Sequence, residues 1–311
     1  MPIEFDDQRV DVSNVDDRRG GGGGGGGLGG GLAIGGGTGI VGIIVFILFQ
    51  LLGGGSGGAT LPVTVDTGSQ AQAGGSGETS QQLSDRCNTA GALNKYTDCR
   101  LIKSFTVADS VWKAEFARRG VAYNTPKIAF FTTQTQTGCG PASAEVGPFY
   151  CPADQEIYFE LGFLDQLQQE FGATGDFAQA YIVAHEFGHH LQSLLGIEPK
   201  VRAAQQRRPS AQNQYSVALE LQADCFAGAW ANLANKQADN GIHLTQDNIA
   251  EAQNAAASVG DNRIQAKVQG RVTPESFTHG TDVQRKQWFT TGAQSGNIDS
   301  CDTFTYYHLS A

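Results

Sequence analysis

Residues 20 to 65 form 46 consecutive positions without a charged side chain. A chain containing such a stretch is not one uniform soluble body, because globular surfaces interleave charge along their whole length. Glycine fills much of it, with 21 of the chain's 42 glycines falling between Gly20 and Gly58. Gly20–Gly27 reads as a flexible spacer. Beyond it, Ile40 to Phe49 is almost entirely branched or aromatic, and Ala33 to Leu52 supplies 20 uncharged residues in a row. At 1.5 Å rise per residue these span roughly 30 Å, the hydrocarbon thickness of a bilayer. Glycines that weaken a helix in water are tolerated in lipid. The expectation is one transmembrane helix over residues 32–52. A cleaved signal peptide fits less well, because the run begins late and no small-x-small site follows it cleanly. A buried core helix would have only Gly-rich neighbours to pack against. Arg18 and Arg19 are the nearest cations, and the C-terminal flank carries no charge before Asp66. The positive-inside bias then puts the N-terminus in the cytoplasm and the rest outside the cell membrane. The expected organisation is a Gly-rich cytoplasmic tail (1–31), the membrane helix (32–52), a flexible linker (53–84) and an extracytoplasmic domain (85–311).

The charge balance, 31 acids against 21 bases, excludes a phosphate-neutralising nucleic-acid binder. All six cysteines lie beyond the apolar run, and an even number on an exported segment implies disulfides. Of the fifteen possible pairings, the local ones, Cys87–Cys99 and Cys139–Cys151, are favoured, which leaves Cys225–Cys301 as a long staple. Closing either short loop contributes on the order of 3 kcal/mol. Six reduced buried thiols are the competing reading, and a cysteine zinc site is disfavoured because no C-x-x-C occurs.

Hydrophobic spacing predicts a predominantly helical α+β domain with a small sheet. Helices are expected at Asp109–Arg119, Phe163–Phe171, near Thr245–Val259 and around Asp282–Gly292, and strands at Lys127–Thr133 and Glu156–Phe159. The strongest amphipathic pattern runs from Asp176, a candidate N-cap, to Gly196, a candidate stop. On that helix His185 and His189 stand one turn apart on one face, placed to share a metal ion. Glu186 lies about 100° around, able to reach a metal-bound water without binding the metal. This is the mechanical content of H-E-x-x-H: two ligands and a general base on one rigid turn. A second apolar helix, Tyr215 to Trp230, carries Glu220 and Asp224 at i and i+4. Buried carboxylates are costly unless they coordinate or pair. The economical assignment makes Glu220 the third ligand and Asp224 the acceptor of a hydrogen bond from a ligand imidazole, His185 being favoured. The bland alternative is two exposed acids paired with Lys200, Arg202, Arg207 or Arg208.

His185-Glu-Phe-Gly-His-His190 followed by Glu220-Leu-Gln-Ala-Asp-Cys-Phe-Ala-Gly228-x-Trp230 resembles the neutral zinc metallopeptidase family of bacterial membrane-anchored proteins. Val12–Arg19, Cys139-Gly-Pro-Ala-Ser, Gly147-Pro-Phe-Tyr-Cys151-Pro, Phe277-Thr-His279-Gly-Thr, Gln284-Arg and Trp288-Phe add to the resemblance, which covers nearly the whole chain. It implies a zincin-like domain similar to thermolysin-like enzymes, with Zn2+ as cofactor and a peptide or protein as substrate. It also implies that His279 steadies the oxyanion; the competing reading is a loop histidine ahead of a helix capped by Thr281. His190 points away from the ligand face, and His243 and His308 lie in no motif. The H-E-x-x-H helix should pack beneath the sheet, and an extended substrate should add to an edge strand near Ile157. Two rivals stand beside the peptidase: a metal-binding but inactive envelope scaffold, and a metal-free structural envelope protein. No feature of the sequence sets an oligomeric state.

Overall fold

A computed structural model of the protein describes residues 3–19, 77–164, 175–237 and 241–310. The expected membrane helix at 32–52 and most of the helix expected over 163–171 lie outside the described residues. Among those described, no helix is long and apolar enough to cross a membrane.

The described part is mainly helical, with small sheets. Its strands are β1 (Glu4–Phe5), β2 (Val15–Asp17), β3 (Lys127–Phe131), β4 (Gln134–Thr137), β5 (Gly140–Ser143), β6 (Phe149–Cys151), β7 (Glu156–Glu160) and β8 (Ile242–His243). Its helices are α1 (Ser80–Cys87), α2 (Ala92–Lys95), α3 (Thr97–Arg119), α4 (Asp176–Leu194), α5 (Ile197–Arg207), α6 (Gln212–Ala234), α7 (Gln246–Ser258), α8 (Asp261–Gln269), α9 (Asp282–Ser295) and α10 (Thr303–Tyr306). The main sheet has the order β2-β3-β7-β6. β3 runs parallel to both β2 and β7, and β6 closes the far side antiparallel to β7. Ile128, Phe130, Ile157 and Phe159 face one core, while Ala129, Phe131 and Tyr158 face another. Burial on both faces explains why these strands read as unbroken apolar runs.

That order corrects the expected substrate edge. Ile157 lies on an inner strand, hydrogen-bonded on both sides, and the edges are β2 and β6.

The N-terminal segment is also not a separate tail. Residues 3–19 pack into the same body as the rest: β1 pairs with β8, β2 pairs with β3, and Ile3, Phe5 and Val10 are buried in the main core. Two strands of two and three residues gain their stability from that packing, which a search for longer periodic runs passes over. Helix α3 likewise begins at Thr97, a dozen residues before the expected start; Arg100 and Lys103, buried in its first turns, hide the apolar pattern there. The Lys103 ammonium donates to the Arg9 carbonyl at 3.0 Å and so draws the N-terminal segment down.

Helices α6 and α9 cross most closely. A Cβ at Gly292 would collide with the Cys225 carbonyl, so only glycine lets the two backbones meet. The disulfides are Cys87–Cys99, Cys139–Cys151 and Cys225–Cys301, as favoured from the sequence.

Candidate metal centre

Helix α4 presents the H-E-x-x-H residues and ends on Gly196, whose φ of 66° suits the left-handed turn after a helix. Its N-cap is Gly175 rather than Asp176; Asp176 sits in the first turn and pairs with Arg100. Gly188 lets α4 close on α6: a Cβ there would lie 2.9 Å from the Ala223 Cα. This contact sets two pairs of functional side chains face to face.

Nitrogens of His185 and His189 and an oxygen of Glu220 all lie within 4.8 Å of one another, and all three residues are buried. The Nε2 of His185 is 3.2 Å from Glu220 Oε2, and the Nε2 of His189 is 3.6 Å from Oε1. The opposite ring nitrogens are already engaged. Nδ1 of His185 donates to Asp224 Oδ1 at 2.9 Å, and Nδ1 of His189 donates to the Gln192 amide oxygen at 2.9 Å. Both Nε2 atoms therefore face the shared space with Glu220, and once His185 gives up its proton there both rings are in the tautomer a metal requires. The residues fit a zinc ion: two imidazoles and one carboxylate, with the ring orientations fixed from behind.

Charge supports the same fit. Burial pushes Glu220 up, but His189, His279 and His185 outweigh it and hold its carboxyl well below the usual range. Burial also opposes a charged His185, yet Asp224 and Glu220 raise it to about 9. Without a cation, the site neutralises its acids by protonating an imidazole, and a divalent ion would displace that proton. Asp224 is fully buried and remains ionised because Arg285 grips it through Nε (2.8 Å) and Nη2 (2.9 Å). The Tyr181 hydroxyl also donates to it. The bland reading of the two acids fails here, since both are buried and Arg202 pairs with Glu198 instead.

Glu186 is 3 % exposed, and its Oε2 has no hydrogen-bond partner. Burial raises its pKa, against the pull of His189, His185 and the Tyr150 backbone N–H. His279 is also buried with an unpartnered Nε2, close enough to Glu220 to act on its charge. Asp261 anchors it: one oxygen accepts from the N–H groups of Thr278, His279 and Gly280, and the other meets His279 Nδ1 at 3.2 Å. Thr281 does cap α9, so the histidine is both a pre-helix residue and part of the site. His190 turns away, held by the Tyr150 hydroxyl and the Asn124 carbonyl, and burial lowers it to about 4.

Sequence reasoning missed Asp261, Arg285, Tyr181 and Gln192. Gln192 had a local signal, three residues beyond His189 on the same helix. Tyr181 also lies on that helix, one turn before His185, while Asp261 and Arg285 come from distant segments and showed no role of their own, Arg285 entering only as part of the Gln284-Arg match.

Among curated proteins, the chain is similar to "Uncharacterized protein YpfJ" of Escherichia coli K12, 49% identical over 197 residues, covering 63% of this chain and 67% of that protein. It is also similar to "Uncharacterized protein Rv2575" of Mycobacterium tuberculosis H37Rv, 44% identical over 227 residues, covering 71% of this chain and 75% of that protein. No solved structure matches. The family described as "Putative neutral zinc metallopeptidase" matches residues 6–304, strand β2 and the metal centre included, and the chain belongs to that family.

Proposed function

We propose that this protein hydrolyses peptide bonds at a zinc ion held by His185, His189 and Glu220. The observation that carries the reading is the pairing of an engaged ligand set with an unengaged base: both Nδ1 atoms are occupied, while Glu186 Oε2 is buried and unpartnered. A divalent cation there would acidify a water and polarise the scissile carbonyl. Glu186, raised by burial, is suited to take the proton from that water and return it to the leaving nitrogen. His279, fixed by Asp261, is suited to donate a hydrogen bond to the developing oxyanion. Arg285 and Asp224 hold the His185 ring without touching substrate.

Among the described residues the ligating group stops at three, and all six cysteines are in disulfides. This favours a fourth position open to water over a closed structural site. With Ile157 enclosed, β6 is the edge along which an extended substrate would lie, because the Tyr150 N–H reaches Glu186 from that strand. The apolar run at 32–52 would hold the enzyme at a membrane, and three disulfides support an extracytoplasmic site for the metal centre.

The deciding experiment is Glu186→Gln. It should keep stoichiometric zinc and lose about 10²–10⁴-fold in peptide hydrolysis. Undiminished turnover would remove Glu186 from the mechanism.

A further inference from the structure

We infer that residues 3–19 lie on the same side of the membrane as the metal centre, and not across it as their position ahead of the apolar run implied. The inference rests on the membrane reading of that run. What carries it is the docking of the N-terminal segment.

The described residues stop at Arg19 and resume at Gly77. These two points are bound to each other. The Glu78 N–H donates to Asp17 Oδ2 at 3.3 Å, and the Glu78 carboxylate stands 3.8 Å from the Arg19 guanidinium. Arg19 is 2 % exposed and pairs at 2.7 Å with both Asp17 and Asp98. Arg86 joins Asp98 to Glu78 and closes the cluster. A guanidinium buried this deeply is stable only with its carboxylates around it. Asp98 comes from the far side of the apolar run in sequence, so the two segments must share one compartment for the cluster to form.

Three further features require the same arrangement. Strand β2 covers the edge of β3 through the register Val15↔Ile128 and Asp17↔Phe130. Undocking residues 3–19 would expose a parallel edge next to Phe130 and strip Ile3, Phe5 and Val10 from the core. The Cys87–Cys99 disulfide adjoins the cluster through Asp98, so an oxidising compartment for one is an oxidising compartment for the other.

The cytoplasmic orientation rested on Arg18 and Arg19 as free juxtamembrane charges. Neither is free. Arg18 pairs with Asp16 at 2.8 Å and with Glu156 at 2.7 Å, and Arg19 is consumed in the cluster. Their charge is explained by the fold, which leaves the positive-inside argument without its cations.

Single-cysteine labelling of the full chain tests this, since all six native cysteines are in disulfides and silent to a maleimide. Asp11→Cys lies on the exposed part of the N-terminal segment and Lys113→Cys on an exposed face of α3. In bacteria stripped of their outer layers but with a sealed inner membrane, a membrane-impermeant maleimide should label both variants to the same extent before detergent is added. The two ways of failing look different. Loss of the full chain from the membrane pellet overturns the membrane reading and takes this inference with it. A pelleted chain in which Asp11→Cys is protected until detergent opens the membrane overturns this inference alone.

Discussion

The molecule buries two clusters of charge, and they differ in what they leave unsatisfied. Around Arg19 every charged group is answered: Asp17, Glu78 and Asp98 face Arg19 and Arg86 through short ion pairs. Around Glu220 the acids outnumber the fixed cations, with Glu186, Glu220 and Asp224 against Arg285 alone, and two buried polar atoms, Glu186 Oε2 and His279 Nε2, have no partner. Proximity alone would not separate them, since Cys87, Asp98 and Cys99 also cluster closely enough to suggest a metal. The difference lies in lone pairs. Those sulfurs are bonded to each other and Asp98 is held by two arginines, whereas both histidine Nε2 atoms face the Glu220 carboxylate, where a cation would take the place of a proton. A saturated cluster fastens a chain; an unsaturated one awaits a ligand.

The contrast is sharpest in a pair of arginine substitutions. Arg285→Ala leaves Asp224 buried with only Tyr181 and His185, which should cost about 3–5 kcal/mol of stability. It should also weaken zinc about 10–100-fold, because the His185 ring loses its support. Arg285→Lys should recover part of both. Arg19→Ala leaves Arg86 on Asp98, so its cost should be nearer 1–3 kcal/mol, with zinc affinity unchanged. Urea unfolding of zinc-free protein and competition against a chromophoric chelator measure the two effects. If Arg19→Ala weakened zinc as much as Arg285→Ala, the two clusters would not be independent.

Metal addition gives the next largest effect. At zinc about a thousandfold above its Kd, the folded chain should gain roughly 4 kcal/mol. Glu220→Ala should abolish that gain and Arg19→Ala should preserve it, as read by thermal unfolding with and without chelator. Zinc stabilisation that survives Glu220→Ala would place the ion elsewhere.

The two clusters were also unequally legible in the sequence. His185, Glu186 and His189 occupy one helical turn, so local geometry alone aligns them. Glu220 and Asp224 were legible as acids on an apolar helix, where burial demands a reason. Arg285 stands 61 residues from Asp224 and Asp261 stands 18 from His279, and only the packing of α6 against α9 and the turn before α9 brings them in. The Arg19 cluster was illegible for a further reason. Its strands are too short to show a period, and its arginines sit beside an apolar run, where they read as topogenic charge. One local pattern supports two physical explanations, and the ion pairs of Arg18 and Arg19 are what the sequence could not show.

Acid and base should separate the regions once more, through two histidines on α4 shifted in opposite directions. His190 is buried and lowered to about 4, while the unfolded chain takes up its proton near 6.5. Its contribution is therefore whole above 6.5 and is lost as the pH falls towards 4, about 3 kcal/mol in all. In zinc-free protein His185 is raised to about 9. Its contribution is whole below 6.5 and is lost as the pH rises to 9, again about 3 kcal/mol. Zinc-free protein should therefore be most stable near pH 6.5, with both slopes arising on the metal helix. In the Arg19 cluster, burial opposes the Asp98 charge but Arg86 and Arg19 hold its carboxyl below the usual value, so its contribution is lost in stronger acid than that of His190. Zinc should erase the alkaline slope, since a metal-bound imidazole has no proton to lose, and leave the acid slope of His190 in place until acid displaces the ion. Urea midpoints from pH 4 to 9, with and without zinc, read both arms. A zinc-free protein equally stable at pH 6.5 and 9 would mean that Asp224 does not hold a proton on His185, and the charge argument for a cation at this site would fall with it.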